Sequence, residues 1–204
     1  DEVVCGFGRT GTFWGHEQFD VDPDIITMAK GLASSYGALS ATVVQHTVYD
    51  IFLNDPANDD TRLNYFRDIS TYGGCTSDLA AALASTRLIE DEHLLENTVT
   101  VGAYLNEQLA TLQKYDVVGD VRGKGLFAGI EFVTDKKTKE PITEGQMAKL
   151  MGAVTGEGVL VGRTNSSFHG LNNIMNFAPS LTITKEQVDT IVAAVTAAIE
   201  KIFS

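Results

Sequence analysis

A lysine closes an apolar run at Met28-Ala29-Lys30-Gly31-Leu32, where a charged side chain is out of place. A lysine held at the edge of an apolar site can lose its proton, and a neutral amine is what Schiff-base chemistry requires. The same spacing also suits a lysine that buries its stem and extends its ammonium into water at a strand end. Gly6-Phe7-Gly8-Arg9-Thr10-Gly11 reads G-x-G-x-x-G, a pattern that can bring backbone up to a pyrophosphate at a helix N-terminus. Its context argues against a dinucleotide site. Thr12-Phe13-Trp14-Gly15-His16-Glu17 has no apolar helical period, and no second strand ends in an acid about 20 residues on. A glycine-rich connection packed on neighbouring backbone is the simpler reading. His16, His46, His93 and His169 are scattered, with no metal-ligand spacing, so no metal is expected. Cys75 beside Thr76 could act as a nucleophile with a distant histidine, but in a Gly-Gly-Cys turn it reads as packed.

The elements that must position these groups follow from periodicity. Val3 to Cys5, Ile25 to Met28 and Ala41 to Val44 are short, β-branched runs that predict strands. Asn54 to Arg67 is polar, contains Asp55-Pro56, and predicts a surface loop. Thr76 to Glu90 predicts a helix with Ser77 as its N-cap. Leu94, Val101, Leu105, Leu109 and Leu112 fall mostly on one helical face. Val118 to Val133 predicts two strands about a turn at Arg122-Gly123-Lys124-Gly125. Met147, Leu150, Met151 and Val154 follow a capping box of Thr143 and Gln146, and the stripe Val188, Ile191, Val192, Val195, Ile199 and Ile202 follows a second, Thr184 with Gln187. Val159 to Val161 and Ile174 to Phe177 complete the expected strands. The fold class is α/β, in two domains with a seam near residues 92–100.

Composition narrows the function. The 204 residues are 44% apolar and 21% charged, enough for a substantial core, and no apolar run reaches the length of a membrane helix. Fifteen basic against 27 acidic residues leave a net charge of −12, which argues against nucleic acid or an anionic membrane as partner. Cys5 and Cys75 cannot make a disulfide framework, so a reducing, cytoplasmic setting is expected. Asp1-Glu2-Val3 reads as the continuation of a strand, so the chain is expected to be a piece of something longer.

Asp1-Glu2-Val3 with Gly6 to Gly11, then Pro23-Asp24-Ile25-Ile26-Thr27-Met28-Ala29-Lys30-Gly31-Leu32, resembles the signature of class III aminotransferases, the pyridoxal-phosphate enzymes that include the ω-transaminases. The likeness continues through Ser70-Thr71-Tyr72-Gly73-Gly74, Val121 to Leu126, and Ala178-Pro179-Ser180-Leu181-Thr182. It implies the C-terminal portion of a fold-type I enzyme: residues 1–95 as part of the large cofactor-binding domain and 96–204 as the small domain. It implies pyridoxal 5′-phosphate as cofactor, with Asp1 paired to the pyridinium nitrogen and Lys30 carrying the cofactor aldehyde and shuttling the proton. Thr71 matches the threonine that reaches across a homodimer to the cofactor phosphate. Arg122 reads as structural. Arg163 matches an arginine that holds the acid group of the acceptor, for which a guanidinium fork suits carboxylate or sulfonate.

The resemblance further implies small-molecule partners, an amine and a 2-oxo acid. The N-terminal half of the same enzyme is expected to supply the phosphate-cradling loop, the aromatic that stacks on the ring and the strands missing from this piece; alone, its open edges are expected to leave it unstable and inactive. Cys75-Thr76-Ser77 after Gly74, where many members have His-Pro, and the long stretch from Gly162 to Asn173 resemble the branch that passes the amino group of taurine to pyruvate, giving an aldehyde and alanine. A β-alanine or general amine–pyruvate transaminase is the alternative within the family. An inactive module that keeps the motifs as scaffold, or a dinucleotide oxidoreductase resting on Gly6 to Gly11, are the alternatives outside it.

Overall fold

The structure, a computed structural model, describes residues 1–53, 64–168 and 170–203. Most of the expected loop over 54–67, and His169, lie outside the described residues. Contacts divide the chain into two units, Asp1–Phe7 with Thr12–Glu92, and Gly8–Gly11 with His93–Ser204.

The first unit pairs β1 (Ile25–Met28) with β2 (Ala41–Val44) as an antiparallel two-stranded sheet, Ile25 opposite Val44 and Met28 opposite Ala41. Two helices follow, α1 (His46–Leu53) and α2 (Thr76–Asp91). Short 3-10 turns run over Gly15–Phe19 and Lys30–Leu32. Among its described residues the buried apolar side chains are Phe7, Met28, Ala33, Ala82 and Ile89.

The second unit is α3 (Leu94–Ala110), β3 (Val118–Lys124), β4 (Phe127–Asp135), β5 (Glu140–Pro141), α4 (Glu144–Gly156), β6 (Gly162–Arg163), β7 (Ile174–Phe177) and α5 (Lys185–Phe203). The sheet runs β3-β4-β7-β6, with β5 on β4, and all its pairings are antiparallel. Helices α3, α4 and α5 enclose a continuous core in which Leu105, Ile130, Phe132, Leu150, Met175 and Ile199 are fully buried. Each such side chain contributes roughly 2 kcal/mol by leaving water. Both expected capping boxes form. Thr143 Oγ1 accepts the Gln146 N–H at 3.2 Å while Gln146 Oε1 accepts the Thr143 N–H at 2.9 Å, and Thr184 and Gln187 exchange the same bonds at 3.4 and 3.0 Å.

Four local expectations are corrected. Val3 to Cys5 is not a strand: the chain turns at once, Gly6 N–H bonding back to Glu2 O at 3.1 Å, and Phe7 and Gly8 take φ of 58° and 90°. Val159 to Val161 carries no ladder; the strand falls at Gly162–Arg163, opposite Asn176 and Met175. Ser77 is not the N-cap of α2. Cys75 occupies that position without a side-chain bond, its carbonyl accepting from Asp78 and Leu79, while the Ser77 hydroxyl donates to Asp78 at 3.3 Å. The β3–β4 turn is Gly125-Leu126 alone, because Arg122, Gly123 and Lys124 stay paired in β3, Lys124 opposite Phe127. Gly125 sits at φ 55°, the left-handed backbone that a two-residue hairpin needs, and a Cβ there would lie 2.6 Å from the Thr10 carbonyl carbon.

Candidate active site

The glycine-rich segment serves packing. Arg9 O accepts the Leu126 N–H at 3.1 Å, and the Arg9 guanidinium donates to Leu126 O at 3.2 Å and Pro179 O at 2.5 Å. Burial pushes the Arg9 guanidinium pKa down. Gly6 closes against Glu2, where a Cβ would meet the Glu2 carbonyl at 2.9 Å. Phe7, Phe13 and Trp14 stack edge-to-face with centroids 5.0–5.5 Å apart.

Lys30 opens the 3-10 turn that follows β1, exposed to solvent and held at φ 41°. Left-handed backbone at a residue with a Cβ costs on the order of 1–2 kcal/mol, so the surroundings must hold it there. They do so on several sides. Lys30 O accepts the Ser34 N–H at 3.0 Å, and Gly31 O accepts the Ser85 hydroxyl of α2 at 3.2 Å. Gly31 itself abuts Phe7, whose Cβ a methyl there would meet at 2.8 Å.

Asp1 is exposed, with Oδ1 accepting the Val3 N–H at 2.9 Å. Its neighbour Glu2 is buried, only 5% exposed. The Glu2 carboxylate accepts the backbone N–H of Gly15 and of His16, each at 2.8 Å, and the His16 Nδ1–H at 3.0 Å. Burial by itself would raise the Glu2 pKa; those two N–H donors and the His16 ring outweigh it and hold the carboxyl below its ordinary range. The Glu2 N–H in turn bonds Thr27 O in β1 at 2.8 Å. Segments carrying Asp1 and Lys30 are thus tied together inside one unit.

Thr71 lies in the exposed turn Thr71–Gly74, where the Gly73 N–H bonds Ser70 O at 2.9 Å. Arg163 belongs to the other unit. In β6 its guanidinium donates to Glu144 Oε2 at 3.0 Å, at the first residue of α4. Glu144 Oε1 accepts the Asn172 amide at 2.8 Å, and Asn172, 9% exposed, also bonds Ser166 through both its amide nitrogen and its carbonyl oxygen. The long stretch after Arg163 is therefore wrapped around an asparagine. Arg122 bonds Asp120 at 2.6 Å and Glu131 at 2.8 Å on β3 and β4, and these acceptors raise its pKa. Cys5 and Cys75 are free thiols.

Sequence reasoning missed Glu2, His16, Glu144 and Asn172. An acid next to an acid reads as a solvated pair, and only the glycine at position 15, where a Cβ would come within 2.6 Å of Cys5 Cβ and 3.1 Å of Glu2 Oε2, marks the pocket that receives it.

The amine of Lys30 and the carboxylate of Asp1 stand on segments joined by the Glu2 N–H to Thr27 O bond. The family described as aminotransferase class-III matches residues 1–199, and the chain belongs to it. A taurine–pyruvate aminotransferase of Bilophila wadsworthia is 53% identical over 196 residues, which make up 96% of this chain and 42% of that protein. A hypotaurine/taurine–pyruvate aminotransferase of Paracoccus denitrificans is 45% identical over 205 residues, all of this chain and 44% of that protein. Among solved structures, an aminotransferase of Bacillus anthracis superposes with a TM-score of 0.93 at 42% identity, over 99% of this chain and 44% of its own. An amine transaminase from an uncultivated Pseudomonas species, solved in a PLP-bound form, gives 0.88 at 35% identity over 98% of this chain and 44% of its own. The chain thus spans less than half the length of the curated relatives it matches. Its mixed α/β architecture is that of the C-terminal portion of these aminotransferases.

Proposed function

We propose that the protein carrying this chain moves an amino group from taurine, or a similar ω-amino donor, to pyruvate, giving an aldehyde and alanine, with pyridoxal 5′-phosphate as its cofactor. The observation that carries this reading is the likeness, at 53% and 45% identity across nearly the whole chain, to taurine–pyruvate aminotransferases, together with the tethered Asp1 and Lys30. When bound, the cofactor supplies an electrophilic aldehyde and an electron-withdrawing ring. The Asp1 carboxylate would pair with the protonated pyridine nitrogen, and Lys30 Nζ would hold the cofactor at its aldehyde carbon and serve as the base and acid that moves the proton at the amine-bearing carbon of the substrate.

Residues 1–95 take the part of the large domain and 96–204 that of the small one. Thr71, with its hydroxyl and backbone N–H, donates to the cofactor phosphate of the partner subunit in a homodimer. Its neighbours Ile69 and Tyr72, 92% and 83% exposed, are apolar surface of the kind a dimer covers. Arg163 is assigned the acid group of the substrates, pyruvate carboxylate or taurine sulfonate, and must leave Glu144 to bind it. The two free thiols suit a cytoplasmic enzyme.

Alanine formation from pyruvate, followed in the full-length enzyme with taurine and β-alanine as competing donors, tests the reading. Faster turnover with taurine supports it; alanine formed from β-alanine and none from taurine moves the enzyme to the general amine–pyruvate branch.

A further inference from the structure

We propose that Glu2 is a positioning residue for the Asp1–Lys30 pair, the buried anchor that fixes where the Asp1 carboxylate stands relative to the lysine. The inference rests on reading those two residues as the cofactor-binding groups.

Asp1 Oδ1 accepts the Val3 N–H at 2.9 Å, a bond that spans residue 2, so the carboxylate is placed in part through the backbone of Glu2. Burying a charge is costly, and an apolar side chain would fill the same space without that cost. What the carboxylate adds is direction. When ionised it is an acceptor only, and here it takes N–H groups from Gly15, from His16 and from the His16 ring, so three donors on one short segment fix its two oxygens. The same residue's N–H grips Thr27 O at 2.8 Å, three positions before Lys30. One residue therefore joins the segment of Asp1, the turn at Gly15-His16 and the strand leading to Lys30.

The surrounding backbone is shaped for this. At Gly15 a Cβ would strike Cys5 and crowd Glu2 Oε2, and at Gly6 it would come 2.9 Å from the Glu2 carbonyl oxygen. Misplacing a reacting group by about 1 Å can cost on the order of 10²-fold in rate, so an anchor of this stiffness on the adjoining residue bears directly on Asp1.

The test uses the full-length enzyme with pyridoxal 5′-phosphate as the probe. Glu2→Gln keeps the shape and removes the charge. It is expected to weaken cofactor binding about ten-fold, the scale of one charge-assisted hydrogen bond, to reduce the visible circular dichroism of the bound cofactor, and to lower kcat with KM for pyruvate unchanged. Should that variant fail to fold, His16→Gln removes only the ring contact and is expected to move the same readouts in the same direction by two- to three-fold. A lowered melting temperature of the cofactor-free variant with unchanged affinity, dichroism and kcat would overturn the proposal and leave Glu2 a structural residue. Wild-type enzyme that binds no cofactor would overturn the aminotransferase reading and this inference with it, whereas a normal wild type beside an unmoved Glu2→Gln overturns the positioning role alone.

Discussion

The two units invest their residues differently. The second unit contains the continuous core, with side chains such as Phe132, Leu105 and Met175 fully buried and both capping boxes in place. The first carries Asp1, Lys30 and Thr71, and among its described residues five apolar side chains are buried while Ile51, Ile69 and Tyr72 are largely exposed. Its local geometry is held instead by close backbone approaches and by a buried carboxylate: Gly31 on Phe7, Gly6 and Gly15 around Glu2. On the proposed function, the reacting groups stand in the unit whose local geometry these contacts hold. Hydrophobic burial stabilises without direction, whereas hydrogen bonds and steric closure at glycine fix orientation.

The contrast predicts that function fails in one unit and stability in the other. The largest effect is expected from Lys30→Ala in the full-length enzyme. Turnover should fall by at least about a thousand-fold while the melting temperature stays near that of wild type, since the proposed function gives this lysine the proton transfer and no part in the apolar core. Transamination near the wild-type rate would remove Lys30 from the chemistry.

Phe132→Ala in β4 should destabilise the protein by about 3–5 kcal/mol in urea unfolding, the range for truncating a fully buried aromatic. A loss below about 1 kcal/mol at Phe132 would break the comparison, because the core of the second unit would then not carry its stability.

A smaller, kinetic effect is expected across the ion pair of β6 and α4. Arg163→Ala should raise KM for pyruvate about ten- to a hundred-fold, the range of a lost charge-assisted bond, with a smaller change in kcat. Glu144→Gln should lower that KM by at most about five-fold, since the half-exposed pair it frees is worth about 0–1 kcal/mol. Equal and opposite effects would mean that Glu144 holds the arginine far more tightly than its exposure allows. Smaller still, Thr143→Ala should lower stability by about 1 kcal/mol in thermal unfolding, through loss of the capping box alone.

Much of the second unit was legible because its signals are local and periodic. The stripes of α3 and α5, the two capping boxes and the strand Ile174–Phe177 follow from spacing alone. Strands β1 and β2 were legible for the same reason. The errors fall where a distant partner decides. Val3 to Cys5 has strand-like residues, but Glu2 is pinned by Gly15, His16 and Thr27 and the chain must turn at Gly6. Val159 and Val161 pack on the core while Leu160 is exposed, and the ladder begins only where Asn176 and Met175 offer partners. Of the candidate site, Lys30 stood out as a charge ending an apolar run. Glu2, Glu144 and Asn172 did not, because each acts through partners 13 to 28 residues away that no periodicity announces.

The most direct test of the central claim is the visible absorption spectrum of the full-length protein mixed with pyridoxal 5′-phosphate, beside that of its Lys30→Ala variant, before and after taurine and then pyruvate. The account predicts a band in the wild type that fades with taurine and returns with pyruvate, and neither response in the variant. A variant that reproduced the wild-type band and its cycle would contradict it.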